Sequence, residues 1–334
     1  MGCRPALTRQ QLDEYFDRLC VPPSARTYDI SLASDASKLD FLQLVQRHQL
    51  AKVPWENLTL HYSWHGLINV SVPHLFTKIT QNTGRGGYCM EANYLFHVVL
   101  YSLGFDTHML GARIFRGHGY GGWTHNVNVV TIGTQRYLLD GGYGPRGPSW
   151  AMPLEHETVS EQIYPAQAKL VYDRIPENLD SSQRLWIYHY RKNPQEQWTP
   201  QYCFAELEFI PADIEAMNFE PSLNRRTFFT HKVVAARFTT NEDDDMGTFP
   251  KTPGQEVVGE EVNGSVTLDH DVLRWRKRGG EKVEIRLRSE RERVRALEQY
   301  FGIVLSADEQ QAIMGTAAQM GGGTVGLEET EDLV

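Results

Sequence analysis

The chain has 334 residues, of which 41% are hydrophobic and 11% aromatic, and its formal net charge is −9 at pH 7. A chain of this length can bury a large core and suggests two or three subdomains, while its negative charge argues against a general nucleic-acid-binding protein. No apolar run approaches the roughly 18 residues of a membrane span, and no positively charged and then apolar N-terminus predicts secretion.

The first 105 residues are predicted to be mostly helical. Thr8 and Gln11 form a capping-box pattern in front of apolar residues at helical spacing. A second helix is predicted over residues 37–49, and a third over residues 71–81 with Ser71 as its cap. Their apolar stripes are expected to form a core.

Residues 84–91 read Gly-Arg-Gly-Gly-Tyr-Cys-Met-Glu, which predicts a glycine-rich turn that leads into a helix ending near Gly104. A cysteine in a first helical turn faces unpaired N–H groups and the positive end of the helix dipole. Both favour the thiolate, which is the nucleophilic form. Cys89 is therefore a candidate nucleophile, although a small buried apolar cysteine would also fit the pattern.

From residue 106 the pattern changes to short strands, which favours an antiparallel sheet or barrel. Residues 116–122 are predicted to form a loop. The predicted strands cover residues 107–115, 125–132, 136–140, 169–174, 185–191 and 202–209.

His125 and Asp140 lie at ends of two predicted strands that a turn at Gly133-Thr134 would join as a hairpin. A thiol nucleophile needs a base, and the base needs an orienting acid. Cys89, His125 and Asp140 supply these three residue types, each at the end of a predicted element.

Beyond residue 210 the pattern mixes helices and strands. The predicted features are, in chain order, a helix or linker over 211–221, a strand over 225–239, a solvated acidic loop over 241–245, hairpins around Asn263-Gly264 and Gly279-Gly280, helices capped by Ser289 and Ser306, and a disordered tail over 321–334.

Four cysteines, Cys3, Cys20, Cys89 and Cys203, are scattered along the chain. Their spacing fits neither a metal site nor a disulfide framework, so it suits a reducing compartment. We therefore expect a cytoplasmic protein with no metal site.

Four segments together resemble the arylamine N-acetyltransferase family. Arg85 to Glu91 is similar to the family's active-site signature, and Pro-Trp-Glu-Asn-Leu at residues 54–58 resembles its upstream segment, with Trp in place of Phe. Thr124-His125 and residues 139–144 are similar to the family's histidine and aspartate segments. The matching motifs run from about residue 50 to 155, in the same order and spacing, and the chain resembles a fungal-like microbial eukaryotic member.

The resemblance implies an α+β fold of three parts around a Cys-His-Asp core like that of cysteine proteases and transglutaminases. The parts would be a helical bundle over 1–105 that carries the nucleophile, an antiparallel β-barrel over 106–210 that carries His125 and Asp140, and an interdomain segment with an α/β lid over 211–320, before a disordered tail over 321–334. The site would lie in the cleft between bundle and barrel.

The resemblance also implies an acyl-CoA-dependent arylamine or arylhydrazine N-acetyltransferase of xenobiotic metabolism. The acyl group would pass through an acyl-cysteine at Cys89 by ping-pong kinetics. The donor substrate would be acetyl-CoA, or propionyl- or malonyl-CoA, with no tightly bound cofactor and no nucleic-acid or membrane partner. In the family pattern Tyr143 lines the acceptor pocket, and Gly121 and Gly122 belong to a loop that approaches coenzyme A.

Arg85 and Glu91, which flank Cys89, are expected to form an ion pair that shapes the turn.

Two other functions fit parts of the pattern. One is a transglutaminase-like enzyme or other cysteine hydrolase with the same residue order. Papain-type enzymes place the histidine about 130 residues after the cysteine. Here 36 positions separate Cys89 from His125, which disfavours a papain-type hydrolase. The other is a non-enzymatic member of the fold that only binds ligands, against which the intact set of three residues argues.

Overall fold

The computed structural model describes residues 4–241, 243, 247–249 and 262–321. Helices in its N-terminal part pack around one apolar core, to which the α-helices contribute buried Phe, Leu, Val and Tyr side chains. These helices are α1 (Arg9–Arg18), α2 (Asp35–Lys52), α3 (Val72–Phe76) and α4 (Cys89–Ser102).

Side-chain capping hydrogen bonds are present at the start of α1 but not at the start of α3. The predicted capping box is confirmed, because the Gln11 N–H donates to Thr8 Oγ1 at 3.2 Å and the Thr8 N–H donates to Gln11 Oε1 at 2.9 Å. Ser71 is the N-cap residue of α3, as predicted, but its side chain makes no capping hydrogen bond in the described structure. The predicted helix over 71–81 is α-helical only to Phe76 and continues as a π-helical turn over Thr77–Gln81.

An eight-stranded antiparallel sheet occupies the middle of the described chain, in the order β5-β4-β3-β2-β9-β8-β7-β6. Large aromatic side chains, among them Tyr188, Tyr202 and Phe204, belong to an apolar core formed mainly by residues of these strands. Next to its edges, Trp150 Nε1 donates to the Glu161 carbonyl at 3.1 Å, so the sheet is a nearly closed barrel. The strands are β2 (Asp106–Phe115), β3 (Tyr120–Ile132), β4 (Gln135–Leu139), β5 (Met152–Pro153), β6 (Val159–Glu161), β7 (Gln167–Asp173), β8 (Leu185–Arg191) and β9 (Thr199–Glu208).

The hairpin around Gly133-Thr134 is confirmed by the pairing of β3 with β4. The predicted loop over 116–122 is wrong in its last three residues, because Tyr120 pairs with Phe115 and β3 already begins there. Bulges between β2 and β3 accommodate this extension. As a result His125 lies inside β3 rather than at its start.

A second antiparallel sheet, in the order β1-β10-β11-β12-β13, packs against two helices at the C-terminal end of the described chain. Its first strand comes from the N-terminal part, since Trp55 pairs with Ala236 and Glu56 with Ala235. The remaining elements are β1 (Trp55–Glu56), α5 (Pro211–Leu223), β10 (Val234–Thr239), β11 (Gly264–Asp269), β12 (Val272–Lys277), β13 (Lys282–Arg286), α6 (Glu290–Phe301) and α7 (Ala307–Ala312).

The three-part division at residues 105 and 210 remains a proposal. The β1–β10 pairing ties the first predicted part to the third, so the two would share a sheet rather than meet only through side chains. None of the described helices combines the length and apolar character of a bilayer span.

Two predictions for the C-terminal strands are wrong. The strand expected over 225–239 begins only at Val234, after a 3-10 turn at Phe228–Thr230. Asn263-Gly264 is no hairpin turn, because Gly264 opens β11 and His270, with φ of 54°, lies in the turn between β11 and β12. The hairpin at Gly279-Gly280 is confirmed between β12 and β13, where both glycines have φ of 90°.

The acidic segment over 241–245 is not simply a solvated loop. Asp243 is buried in an ion pair with the Arg237 guanidinium, which β10 holds in the interior. The prediction is therefore wrong for this residue. Residues 242, 244 and 245 and the tail from residue 322 onward lie outside the described residues.

Candidate active site

Cys89 is the first residue of α4, where the glycine-rich turn meets the helix. Its N-cap, Tyr88, has an extended backbone, and the Tyr88 N–H donates to Glu91 Oε2 at 3.2 Å. The side chain is buried, and Sγ lies 3.8 Å from the Thr124 carbonyl oxygen. The thiol therefore faces β3 directly beside His125.

His125 and Asp140 form a buried pair in which His125 Nε2 lies 2.8 Å from Asp140 Oδ2. Burial opposes a charged imidazole, but attraction to Asp140 and Cys89 and hydrogen bonds with both raise the pKa of His125 to about 10. Because Nε2 is engaged by Asp140, the other ring nitrogen serves the thiol. The pair can thus hold an imidazolium beside the sulfur of Cys89.

Asp140 is kept ionised by its surroundings. Burial alone would raise its pKa, but the His125 imidazole, the Asn93 amide and the Gly142 N–H together lower it below the ordinary value. Asn93 Nδ2 and the Gly142 N–H each donate to Asp140 Oδ1 at 2.9 Å. The other carboxylate oxygen, Oδ2, is therefore available to His125.

Asn93 is a site residue that the sequence interpretation missed. Besides holding Asp140, its Nδ2 donates to the Asn126 carbonyl at 2.7 Å and its Oδ1 accepts from the Gly141 N–H at 2.8 Å. One amide thus links α4, β3 and the loop after β4. Its position four residues after Cys89 was an available signal, because residues at that spacing share a helix face.

Gly142 is required by close packing rather than by an unusual backbone angle. A Cβ at this position would lie 2.5 Å from Cys89 Cα and 2.9 Å from Asn93 Nδ2. A Cβ at the neighbouring Gly141 would meet only ordinary contacts of 3.6–4.0 Å. The loop after Asp140 therefore packs directly on the backbone of the nucleophile.

We expect Gly142→Ala to lower turnover by about 100-fold, since a displacement near 1 Å at a reacting centre has an effect of that order. Overpacking should also destabilise the fold by about 1–3 kcal/mol. Turnover and thermal unfolding of the purified variant are the measurements. Gly141→Ala is the matched control and should stay near wild type; equal losses in both variants would contradict the packing argument.

Tyr143 lies against the edge of the imidazole, with ring centroids 5.6 Å from His125 and 5.1 Å from Tyr202. Its hydroxyl donates to Gln201 Oε1 at 3.2 Å. Tyr143 and Tyr202 therefore place two aromatic rings beside His125, while the expected place of Tyr143 in an acceptor pocket stays a prediction.

Buried charges hold the glycine-rich turn, but not in the predicted pairing. Arg85 Nε lies 3.1 Å from Glu56 Oε1, while Lys78 Nζ lies 2.7 Å from Glu91 Oε1. Lys78 also approaches Glu56 at 3.3 Å and so links the two pairs. The expected Arg85–Glu91 ion pair is wrong, because β1 inserts Glu56 as the partner of Arg85.

Gly121 and Gly122 lie within β3 rather than in a loop. The Gly121 carbonyl accepts from Arg113 at 3.0 Å, and a Cβ there would lie 2.8 Å from Arg116 Nε. At Gly122 a Cβ would meet open space, with no atom of the described residues within 4 Å apart from the adjoining chain. Their expected contact with coenzyme A stays a prediction.

A cleft of about 500 Å³ opens between the barrel and the C-terminal sheet. Basic side chains dominate its charged lining: Arg146, Lys192, Arg274, Arg276 and Lys282, with Glu196. Pro145 also lines it and follows Gly142 by three residues, which span at most about 11 Å. The lining does not include Cys89, His125 or Asp140, so the cleft is adjacent to the loop that packs on Cys89, and its basic lining suits an anionic ligand.

The site residues form a thiol–imidazole–carboxylate centre and no evident metal centre: the described ranges contain no group of three or more His, Cys, Asp or Glu side chains arranged to hold an ion. Such a site can form and break a thioester on Cys89.

Comparison with known proteins gives consistent matches. A protein-family model described as N-acetyltransferase matches residues 38–246. The chain is 30% identical over 338 aligned residues to N-malonyltransferase FDB2 of Gibberella moniliformis, covering 93% of each protein. Its fold is similar to that of the arylamine N-acetyltransferase from Mycobacterium abscessus, with a TM-score of 0.73, 21% identity and coverage of 93% of this chain and 95% of that one. The Mycobacterium marinum arylamine N-acetyltransferase in complex with CoA matches with a TM-score of 0.69, 22% identity and coverage of 90% and 96%.

Proposed function

The chain belongs to the arylamine N-acetyltransferase family, and on that premise we propose that it transfers an acyl group from an acyl-CoA to the nitrogen of an aromatic amine or hydrazine. The transfer passes through an acyl-cysteine on Cys89. The observation that carries the proposal is the buried His125–Asp140 pair, 2.8 Å apart, beside a cysteine at the first residue of a helix.

In the first half-reaction, the Cys89 thiolate attacks the thioester carbonyl. The N–H groups at the start of α4, including that of Cys89, stabilise the oxyanion. The tetrahedral intermediate collapses by breaking its bond to the coenzyme A sulfur, which takes a proton from the His125 imidazolium. The products are free coenzyme A and a thioester on Cys89.

In the second half-reaction, the amine nitrogen attacks the Cys89 thioester and the neutral His125 imidazole accepts its proton. Collapse of this intermediate releases the amide and restores the thiolate–imidazolium pair. Asp140 stabilises the cationic ring and fixes its orientation in both steps. Tyr143 is proposed to line the acceptor pocket, because its ring lies 5.6 Å from that of His125.

The basic cleft is the proposed site for the phosphates of the donor. Coenzyme A carries several negative charges, and the lining arginines and lysines match them. The bound CoA of the Mycobacterium marinum protein supports this class of donor. Gly121 and Gly122 are also proposed to approach coenzyme A.

We expect Arg274→Ala to raise KM for acyl-CoA about 10-fold with kcat nearly unchanged, because one charge-assisted contact of roughly 1.5 kcal/mol is lost. Initial rates with a short thioester that lacks the phosphates, such as S-acetyl-N-acetylcysteamine, should not change. Arg286→Ala is the control. Arg286 lies on the neighbouring strand and pairs with Asp271 at 3.1 Å, as Arg274 pairs with Glu284 at 3.0 Å, but Arg286 does not line the cleft. An equal loss with both donors would contradict phosphate binding by Arg274.

The acyl group itself has three candidates, acetyl, propionyl and malonyl, and the comparisons support two of them. Acetyl-CoA is the donor implied by the family description, whereas a relative that aligns over 93% of the chain is an N-malonyltransferase, which supports malonyl-CoA as a candidate. Initial-rate kinetics with acetyl-, propionyl- and malonyl-CoA and an aromatic amine should distinguish them by kcat/KM.

The same kinetics test the proposed function. Parallel lines in double-reciprocal plots, together with an N-acylated amine as product, are expected for a ping-pong transferase. Release of coenzyme A and free acid in the presence of the amine, without acylated product, would instead indicate a cysteine hydrolase.

A further inference from the structure

The turn that presents Cys89 also contacts the C-terminal end of the described chain. We call residues 84–88 the nucleophile turn and residues 302–312, which include α7, the C-terminal strut. The Val304 N–H donates to the Thr83 carbonyl at 3.3 Å, directly before the turn. A Cβ on Gly84 would lie 2.0 Å from the Gly302 carbonyl oxygen, so the two backbones are in close contact.

Arg85 is the centre of the polar contacts between strut and turn. Its guanidinium reaches three elements: Nε lies 3.1 Å from Glu56 Oε1, Nη2 donates to Thr59 Oγ1 at 2.9 Å, and Nη1 lies 3.0 Å from Glu309 Oε1. Burial disfavours a charged guanidinium, yet the carboxylates of Glu56 and Glu309 raise the pKa of Arg85 above its ordinary value. The side chain is therefore a fixed cation under the turn.

The contact passes from Arg85 to the backbone that precedes the nucleophile. Glu56 Oε1, which pairs with Arg85, also accepts the Gly86 N–H at 3.3 Å. Gly86 precedes Cys89 by three residues, and the Gly87 N–H is held at 3.2 Å by the Pro54 carbonyl. A shift of Arg85 would thus be transmitted to the peptide groups that place Cys89.

The two carboxylate oxygens of Glu309 have different partners. Oε1 pairs with Arg85, whereas Oε2 accepts the Ser306 N–H at 2.8 Å and completes the capping box of α7. The strut is also anchored by the buried side chains of Ile303, Leu305 and Ala312. Because these contacts hold α7 without Arg85, the Arg85–Glu309 pair is not needed to fold the strut.

We propose that Glu309 is a positioning residue for the nucleophile: by fixing Arg85 from the C-terminal strut, it keeps the turn in the geometry that places the Cys89 thiol against His125. This rests on the proposed function in that it assumes a thiolate–imidazolium pair at the site. The Glu309 side chain is 31% exposed, against 6% for Arg85. Arg85 is buried and keeps Glu56 as a second carboxylate partner when the charge of Glu309 is removed, so we expect that removal to act mainly on the placement of the turn.

The test is the pH profile of Cys89 alkylation by iodoacetamide in the full-length protein. Glu309→Gln keeps an acceptor oxygen for Ser306 but removes the charge that faces Arg85. We expect its alkylation profile to shift to higher pH and its single-turnover acylation by acetyl-CoA to slow by about 10-fold, because small displacements at a reacting centre cost rate steeply. Circular dichroism should show an unchanged fold.

Two matched variants separate positioning from helix stability. Asp308→Asn removes an exposed charge from the same turn of α7. Ser306→Ala removes the cap and the Oγ bond to Glu309 Oε2, while the Ser306 N–H still donates to that oxygen and Glu309 Oε1 still pairs with Arg85. Both should keep the wild-type alkylation profile. A wild-type profile in Glu309→Gln, or an equal shift in Ser306→Ala, would overturn the positioning role.

The alkylation readout needs no acyl-CoA and so also separates the two proposals. If wild type reacts only in the alkaline range of an ordinary thiol, the thiolate–imidazolium pair is absent and both proposals fail. If wild type reacts below neutrality and Glu309→Gln matches it, only the positioning role fails.

Discussion

Cys89→Ala is expected to lower acyl transfer by at least about 10⁴-fold while the fold stays intact. Without its nucleophile the enzyme can no longer form the covalent intermediate, and only substrate binding and oxyanion stabilisation remain. Losses of this size are typical when a catalytic nucleophile is removed. The thiol is small and buried, so its replacement by a methyl group should change the free energy of unfolding by about 1 kcal/mol. Turnover and circular dichroism of the same preparation are the measurements.

Cys203→Ala is the control for this prediction. Cys203 is also buried, but burial raises the pKa of its thiol to about 12, so it is not a thiolate near neutral pH. Its alanine variant should retain transfer close to wild type. Transfer near wild type in Cys89→Ala would contradict the assignment of the nucleophile.

Asp140→Asn is expected to lower transfer by on the order of 10³–10⁴-fold. The pKa of His125, about 10, depends on attraction to Asp140 against the opposing effect of burial. In wild type the imidazolium therefore persists up to about pH 10. In the variant this attraction is lost, and the imidazole should lose its proton above about pH 6.5, its ordinary value, or lower because of burial. The thiolate then loses its counter-charge.

The measurement is the rate of Cys89 alkylation by iodoacetamide as a function of pH, alongside turnover. Wild type should react well below neutrality, and Asp140→Asn appreciably only near and above about pH 8.5, where ordinary thiols ionise. Asp106→Asn, which changes an exposed carboxylate at the start of β2, should behave as wild type. The same alkylation profile in wild type and Asp140→Asn would mean that Asp140 supports no ion pair.

The sequence was informative where local chemistry fixes the structure. The glycine turn, the start of α4 and the hairpin of β3 with β4 depend on neighbouring residues. Cys89 and Asp140 could therefore be placed at the ends of elements from the sequence alone, whereas His125 was placed on the correct strand but lies inside it. Asn93 was missed although its spacing from Cys89 was visible, because an asparagine inside a helix carries no chemical motif. Tyr202 had no such signal, since β9 reaches the site only through the barrel topology.

The two wrong predictions about charged residues share a non-local cause. β1 has only two residues, and its pairing with β10 joins positions about 180 apart in the chain. That strand places Glu56 beside Arg85 and replaces the expected Arg85–Glu91 pair. Likewise, Asp243 is buried because β10 supplies Arg237 as its partner. Short-range patterns of charge and turn residues contain no information about such partners.

The acyl-cysteine is tested most directly by the intact mass of the protein after incubation with acetyl-, propionyl- or malonyl-CoA in the absence of an acceptor. We predict one acyl group per chain, with equimolar release of coenzyme A, mapped by peptide digestion to Cys89 and discharged when an aromatic amine is added. The acyl group that forms fastest identifies the preferred donor. No mass increase before the amine is added, or an acyl group on Cys20 or Cys203 instead, would contradict the mechanism.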